Sequence, residues 1–351
     1  MDTSKLDEEL RIEESNNYLK ECFESNYLNK FVTKLHNGNL EDPIPTGFNG
    51  LDSVLNGGLR TGLYVIGAIS SLGKTTFALQ ICDHIAKSGE YVLIFSLEMS
   101  ANELIAKSIS RHTLEIARAD GIDMFNSKTA IGLCDRCCYE NYNLKEINLI
   151  NRAIETHTYE YANNICIYEC GENMGVNQIR GIIENFIHYI GKKPVVLVDY
   201  IQALCSTEIE LTDKQNIDKT VIELKRISRD FEIPVIGIST FNRSSYNRPV
   251  SMESFKESGS IEYVSDVLIG LQFERIKNIE SFDYNFEMKN SPRQIESVII
   301  KNRIGYAGVS IFYDYYAEFN FFEERFANFC HISKKTKNKS MIKALYSKKN
   351  K

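Results

Sequence analysis

The most constraining stretch of this 351-residue chain is LYVIGAISSLGKTTFALQICDHIA, residues 63–86. An apolar, strand-like run from Leu63 to Ala68 enters Ile69-Ser70-Ser71-Leu72-Gly73-Lys74-Thr75-Thr76, and a helical pattern follows. Glycine, lysine and threonine in succession, between a strand and a helix, predict a phosphate-binding P-loop. Gly73 lets the main chain wrap, so that successive N–H groups from Ser70 to Thr76 face phosphate oxygens. The helix N-terminus adds positive potential at the same place. Lys74 is expected to reach the β- and γ-phosphates, and Thr75 to offer its hydroxyl to magnesium. Ala68 stands where such loops usually carry their first glycine, with Gly67 just before it. The expected ligands are a nucleoside triphosphate, taken as ATP, and Mg2+.

Composition limits the setting in which this loop works. Apolar residues make up 43% and charged residues 25%, which excludes wholesale disorder and a fibrous repeat. No apolar run approaches the ~18 residues that would cross a bilayer. The opening MDTSKLDEELRIEES is acidic and has no apolar core, unlike a signal peptide. A soluble, cytoplasmic protein without a membrane partner is expected. The net charge of -6 argues against a uniformly basic nucleic-acid coat. It hides an asymmetry, because residues 331–351 hold eight lysines and no acid, leaving -14 for the first 330 residues. Cys134, Cys137, Cys138, Cys166 and Cys170 have a spacing that could supply thiolates to zinc. Cys166 lies in an apolar run where it more simply fills core space, so reduced thiols are the favoured reading.

Three parts follow from the patterning. Residues 1–43 read as an acidic helical arm in which Tyr27, Leu28, Phe31, Val32 and Leu35 recur at helical spacing. That stripe packs either on the same core or on another subunit. Residues 44–326 alternate short β-rich runs with amphipathic helices, and residues 327–351 read as a solvated basic tail. Strands are expected at Leu63–Ala68, Tyr91–Leu97, Ile165–Glu169, Val195–Asp199, Val235–Ser239, Val267–Gln272, Ser297–Lys301 and Val309–Tyr313. Helices are expected at 75–88, 101–117, 145–162, 176–190 and 216–231. Runs such as VVLVD are continuously apolar, as strands covered on both faces should be. The predicted class is α/β, a mostly parallel central sheet flanked by helices with a more antiparallel C-terminal edge.

Two carboxylates join the loop. Asp199 closes the VVLVD strand, a form that holds magnesium opposite the P-loop threonine. Glu98 ends the strand after the P-loop helix, at the sheet edge where ligands bind, and is expected to orient or deprotonate attacking water. Its alternative is a helix cap, since SLEMSANE has capping residues nearby. Up to this point the residues indicate triphosphate hydrolysis without saying what it drives.

From Ile44 to about Glu324 the sequence resembles the C-terminal, RecA-like motor domain of DnaB-type replicative helicases. The segments that carry the resemblance are PTGFNGLDSVLNGGL, ISSLGKTTFALQI, VLIFSLEMS, VVLVDYIQAL, ELKRISRDFEIPVIGIST, FKESGSIEYVSDVLIGLQ and VIIKNRIGYAG, in that order. The resemblance implies that Glu98 is the catalytic base and that Lys301 and Arg303 reach the nucleotide of an adjacent subunit. It places Lys256, Glu257 and Gly259 in a loop that holds single-stranded DNA, with Arg243 and Arg248 lining the same channel. A surface salt bridge for Arg303 and a solvated charged loop for Arg243 and Arg248 are the plainer readings.

The implied function is ATP-dependent 5′ to 3′ translocation on single-stranded DNA and duplex unwinding in replication by a hexameric ring, with primase or loader proteins as partners. Two departures stand out. Thr240 occupies the position where relatives often have a γ-phosphate-sensing glutamine, and the first 45 residues do not match the family's N-terminal collar. The arm stripe resembles the linker helix that docks on the next motor domain. Two other readings stay open: a RecA-like ATPase that binds or remodels DNA without unwinding, and a nucleotide-switched assembly scaffold.

Overall fold

A computed structural model describes residues 24–36, 42–171, 174–204, 212–242, 245–255, 259–277 and 282–325. The chain divides into two units, Met1–Asp42 and Pro43–Lys351. In the first, helix α1 (Glu24–His36) leaves Tyr27, Leu28, Phe31 and Leu35 exposed, with Val32 half-buried. The expected stripe is therefore present as one helical face.

The second unit is built on one nine-stranded sheet. Its strands are β1 (Gly62–Ala68), β2 (Val92–Ser96), β3 (Ile165–Glu169), β4 (Val195–Asp199), β5 (Pro234–Thr240), β6 (Val267–Phe273), β7 (Arg293–Asn302), β8 (Val309–Tyr316) and β9 (Phe321–Glu324). Their order is β3-β2-β4-β5-β1-β6-β7-β8-β9. From β3 to β6 every pairing is parallel, and from β6 to β9 every pairing is antiparallel. All residues of β1, β2, β4 and β6 are buried, as their unbroken apolar runs require when helices cover both faces. In β8 buried and half-buried residues alternate from Ile311 onward, marking a less covered edge.

The longer helices are α3 (Lys74–Lys87), α4 (Ala101–Ala119), α7 (Leu144–Glu160), α8 (Val176–Ile190) and α9 (Asp213–Phe231). Shorter ones are α2 (Asn49–Val54), α5 (Ala130–Cys134), α6 (Arg136–Glu140), α10 (Gly259–Val264) and α11 (Tyr284–Glu287). Reciprocal capping boxes start α4 (Ser100 with Glu103), α7 (Asn143 with Glu146) and α9 (Thr212 with Gln215). Cys134, Cys137 and Cys138 are exposed on α5 and α6, and Cys166 is half-buried in β3 against the core. Burial pushes the Cys170 thiol up to about 11.

Aromatic packing joins the two ends of this unit to the P-loop helix. Phe48 stacks on Phe77 at 4.9 Å, Phe77 meets the edges of Tyr313 and Phe322, and Tyr315 stacks on Phe322 at 4.0 Å. Gln80 of α3 reads β9 as a strand would, donating to the Phe322 carbonyl (2.8 Å) and accepting its N–H (2.9 Å).

Between α3 and α4 lies a buried ion pair of Asp83 and Arg111, both side chains almost wholly enclosed. Arg111 also donates to Ser108 Oγ, while Asp83 Oδ1 is buried without a hydrogen-bond partner among the described residues. Truncating one member strands the other charge, so Arg111→Ala is expected to lower unfolding free energy by about 3–5 kcal/mol. The double replacement Asp83→Leu/Arg111→Met should recover much of that loss. Urea midpoints of the three proteins check both expectations.

Behind this pair, His112 Nδ1 bonds Glu115 (2.9 Å) and His112 Nε2 faces His157 Nδ1 at 3.4 Å. Burial, followed by the neighbouring His112 and Arg111, holds His157 down at about 4, against 6.5 in an open chain. A depressed base is neutral in the fold and protonates more readily when unfolded. Its stabilising effect is thus complete above about pH 6.5 and lost as pH falls towards 4. The urea midpoint should therefore be lower at pH 5 than at pH 7.5.

Candidate nucleotide site

The parallel register brings the carboxyl ends of β1, β2, β4 and β5 to one edge, with Ala68 opposite Thr240 and Ser96 opposite Asp199. Such an edge is where open α/β sheets bind ligands. The P-loop leaves β1 there. Ser70 and Ser71 are exposed, Leu72 is fully buried and anchors the loop, and Gly73 caps α3 in a left-handed conformation (φ 95°). A Cβ on Gly73 would lie 2.8 Å from the Tyr315 ring, so glycine is required by both backbone and packing. Ser71 is also left-handed (φ 62°).

Lys74 and Thr75 occupy the first turn of α3. Lys74 Nζ donates to the Ile69 carbonyl at 3.2 Å, across the mouth of the loop. Burial pushes its ammonium below the usual lysine range, opposed by Asp199 and Glu98. Thr75 Oγ1 donates to Asp199 Oδ2 at 2.7 Å. Burial raises the Asp199 carboxyl, and Glu98 adds to that, while Thr75, Lys74 and Lys107 act against it. A hydroxyl and a buried carboxylate converging on one point are oxygen donors suited to a hard cation such as magnesium. Thr76, by contrast, is buried with its hydroxyl 3.5 Å from Asn320 Oδ1. Its hydroxyl turns into the core, leaving only its backbone to the loop.

Glu98 lies exposed in the turn between β2 and α4. The turn is tied by Ser96, whose hydroxyl donates to the Met99 carbonyl (2.5 Å) and accepts the Met99 N–H (3.2 Å). The α4 cap is made by Ser100 and Glu103, and Glu169 takes the Ala101 N–H at 2.6 Å. Capping is thus done by others.

Thr240 ends β5, half-buried. Just beyond it, Phe241 meets Phe255 edge-on at 4.8 Å, and both rings sit against Gly67 of β1. A Cβ there would approach Phe241 to 2.3 Å and Phe255 to 2.4 Å. Gly67 is accordingly glycine to seat two rings. Arg248 is exposed on the turn after Ser245, whose following segment is anchored by the Val250 N–H on Gln272 (2.6 Å). Gly259 opens α10, where the Ser260 N–H reaches Asp218 at 3.3 Å. Arg243, Lys256 and Glu257 lie outside the described residues.

Lys301 and Arg303, at the end of β7, differ. Lys301 Nζ donates to the carbonyls of Glu262 (2.6 Å), Tyr263 (3.1 Å) and Ser265 (2.7 Å), closing the end of α10. Arg303 is half exposed, pairing with Asp266 at 3.3 Å and donating to the Tyr263 carbonyl at 2.8 Å. The strand-end salt bridge is thus present, with about half of the side chain open to solvent.

Three residues near the loop were not singled out from sequence. Arg293 donates to the Ser71 carbonyl (3.2 Å) and lies over the Tyr315 ring. Lys107 of α4 binds Asn320 Oδ1 at 2.9 Å and acts on Asp199. Gln202 contacts Ser239 and Thr240. Arg293 and Lys107 come from segments with no motif of their own, and only the fold brings them to the loop. The VDYIQ run, with Gln202 three residues past Asp199, is the one signal that could have pointed to this residue.

Sheet order, buried strand and left-handed glycine at the head of α3 define a RecA-like P-loop domain. More narrowly, the chain belongs to the DnaB-like helicases: the family model described as "DnaB-like helicase C terminal domain" matches residues 43–324. The chain is 30% identical over 311 residues to "Replicative DNA helicase DnaC" of Bacillus subtilis, covering 84% of this chain and 60% of the relative. It is 27% identical over 257 residues to "Replicative DNA helicase DnaB" of Haemophilus influenzae, covering 72% and 51%. The chain thus spans about half to three fifths of the length of these relatives. Its fold is similar to that of a solved protein described as "a DnaB-Like Replicative Helicase", with a TM-score of 0.67 at 23% identity, covering 84% of this chain and 65% of that one. Among the described residues, no helix is long and apolar enough to cross a membrane.

Proposed function

We propose that this chain is an ATP-driven motor that assembles as a hexameric ring, moves 5′ to 3′ on single-stranded DNA and unwinds duplex in replication. The observation that carries this reading is the seating of Phe241 and Phe255 on Gly67. These rings root the two segments that hold Arg243 and Lys256–Gly259, so the DNA-facing loops and the nucleotide loop share one strand. A change at the phosphates is then felt at the roots of both segments.

In this reading, N–H groups of residues 70–76 cradle the phosphates and Lys74 leaves Ile69 to meet them. A bound magnesium ion would supply neutralisation of the phosphate charge. Thr75 and Asp199 would hold it. Glu98, free of capping, accepts a proton from the attacking water. Arg303 stabilises charge at the site of the next subunit, while Lys301 holds the end of α10 in place. Arg243, Arg248 and Lys256 neutralise DNA phosphates, and Gly259 with Glu257 shapes the loop that approaches them. The exposed face of α1 serves docking between subunits, residues 327–351 add a basic tail, and primase or loader proteins are further partners. The protein acts in the cytoplasm.

Sizing with a non-hydrolysable ATP analogue and an oligonucleotide, alongside fork unwinding, tests the proposal. A hexamer with single-strand-stimulated ATPase and unwinding is expected. Strong stimulated ATPase without unwinding would instead favour a DNA-remodelling ATPase, the reading that Thr240 in place of a longer amide supports. ATPase indifferent to single-stranded DNA would favour a nucleotide-switched scaffold.

A further inference from the structure

Thr240 carries no amide, yet an amide is present beside it. Gln202 stands on the short turn Ile201–Ala203 that follows Asp199. Its Nε2 donates to Ser239 Oγ at 2.9 Å and faces the Thr240 carbonyl at 3.5 Å. The turn is held rigidly, because Ile201 is wholly buried and its Cδ1 fills the hollow over Gly237 of β5, 2.6 Å from where a Cβ would stand. Gln202 Oε1 is buried with no hydrogen-bond partner among the described residues.

We propose that Gln202 is the positioning residue that links the nucleotide site to the DNA-facing segments, supplying from the turn after β4 the side-chain amide that Thr240 lacks on β5. The inference rests on the function proposed above. Two routes meet at this side chain. On one side, three residues back along the chain, is Asp199, bonded to Thr75 of the P-loop. On the other is the Ser239–Thr240 strand end, followed by Phe241, whose N–H is fixed to the Ala68 carbonyl at 2.9 Å. A shift of the Asp199 turn, as the site fills or empties, moves the amide against the backbone of Thr240. From there it passes to the root of the segment containing Arg243. The geometry makes Gln202 act through Ser239 and Thr240.

The test is the ratio of ATP turnover with saturating oligonucleotide to turnover without it. Gln202→Leu is expected to lower that ratio by about tenfold, within the 5- to 150-fold typical of coupling between sites. The same variant should lose the change in oligonucleotide affinity that a non-hydrolysable ATP analogue causes, because coupling is reciprocal. Placing the amide on the other strand, in Gln202→Leu/Thr240→Gln, is expected to restore the ratio. Gln202→Glu, which keeps the shape and removes both N–H donors, is read in the same way if the leucine variant does not fold.

A wild-type ratio in the single variants overturns the inference. So does a ratio lost and not restored in the double variant, which would make Gln202 a packing residue. Absence of stimulation in the wild-type protein would instead overturn the proposed function, and this inference with it.

Discussion

Arg303→Ala is expected to leave ring assembly intact and to lower ATP turnover by about 10³–10⁵-fold, the effect of losing an arginine supplied in trans. The side chain is suited to that task because it is anchored without being buried. Asp266 holds it at 3.3 Å, and Asp266 is itself fixed by Lys225 (2.6 Å) and by the Leu63 N–H at the start of β1 (2.7 Å). The side chain therefore stands at an anchored rim, about half exposed. Complementation decides between action in trans and local support. Mixed with a Lys74→Ala protein, Arg303→Ala should regain turnover wherever an intact arginine faces an intact P-loop. A monomeric Arg303→Ala protein hydrolysing ATP at the wild-type rate would contradict the assignment.

Glu98→Gln should lower turnover by about 10²–10⁴-fold while leaving nucleotide affinity nearly unchanged, as expected for a lost general base. Ser96 ties the turn that presents Glu98, and Ser100 with Glu103 relieves it of capping, so the substitution removes a proton acceptor and its charge while leaving the turn and the cap in place. Equilibrium binding of a fluorescent nucleotide beside steady-state turnover separates the two effects. Equal losses in both would assign Glu98 to binding.

The sheet's parallel half was legible because strands covered on both faces read as unbroken apolar runs, and five long helices fell in the intervals between them. β9 was not, since Phe321–Glu324 is four residues long and follows Asn320 in a left-handed conformation (φ 54°). Its strand character comes from pairing with β8 and Gln80. The P-loop could be read from spacing alone, but the inward turn of the Thr76 hydroxyl depends on Asn320, 244 positions away. The seating of two rings on Gly67 was equally invisible. A glycine one residue before a loop suggests backbone freedom, whereas here the missing side chain makes room for Phe241 and Phe255. The resemblance groups Lys301 with Arg303, and their hydrogen bonds separate an ammonium held by three carbonyls from a guanidinium paired with Asp266 and the Tyr263 carbonyl.

The packing of Tyr315 and Phe322 against Gly73 has a consequence for how the protein is made. The nucleotide loop is encoded early, yet its cap rests on rings that leave the ribosome roughly 240 residues later. A nascent chain that stops before Phe322 lacks the surface on which the head of α3 is set. Prematurely terminated products should therefore be inert towards ATP, so that incomplete chains neither consume the nucleotide pool nor poison the assembly of finished ones.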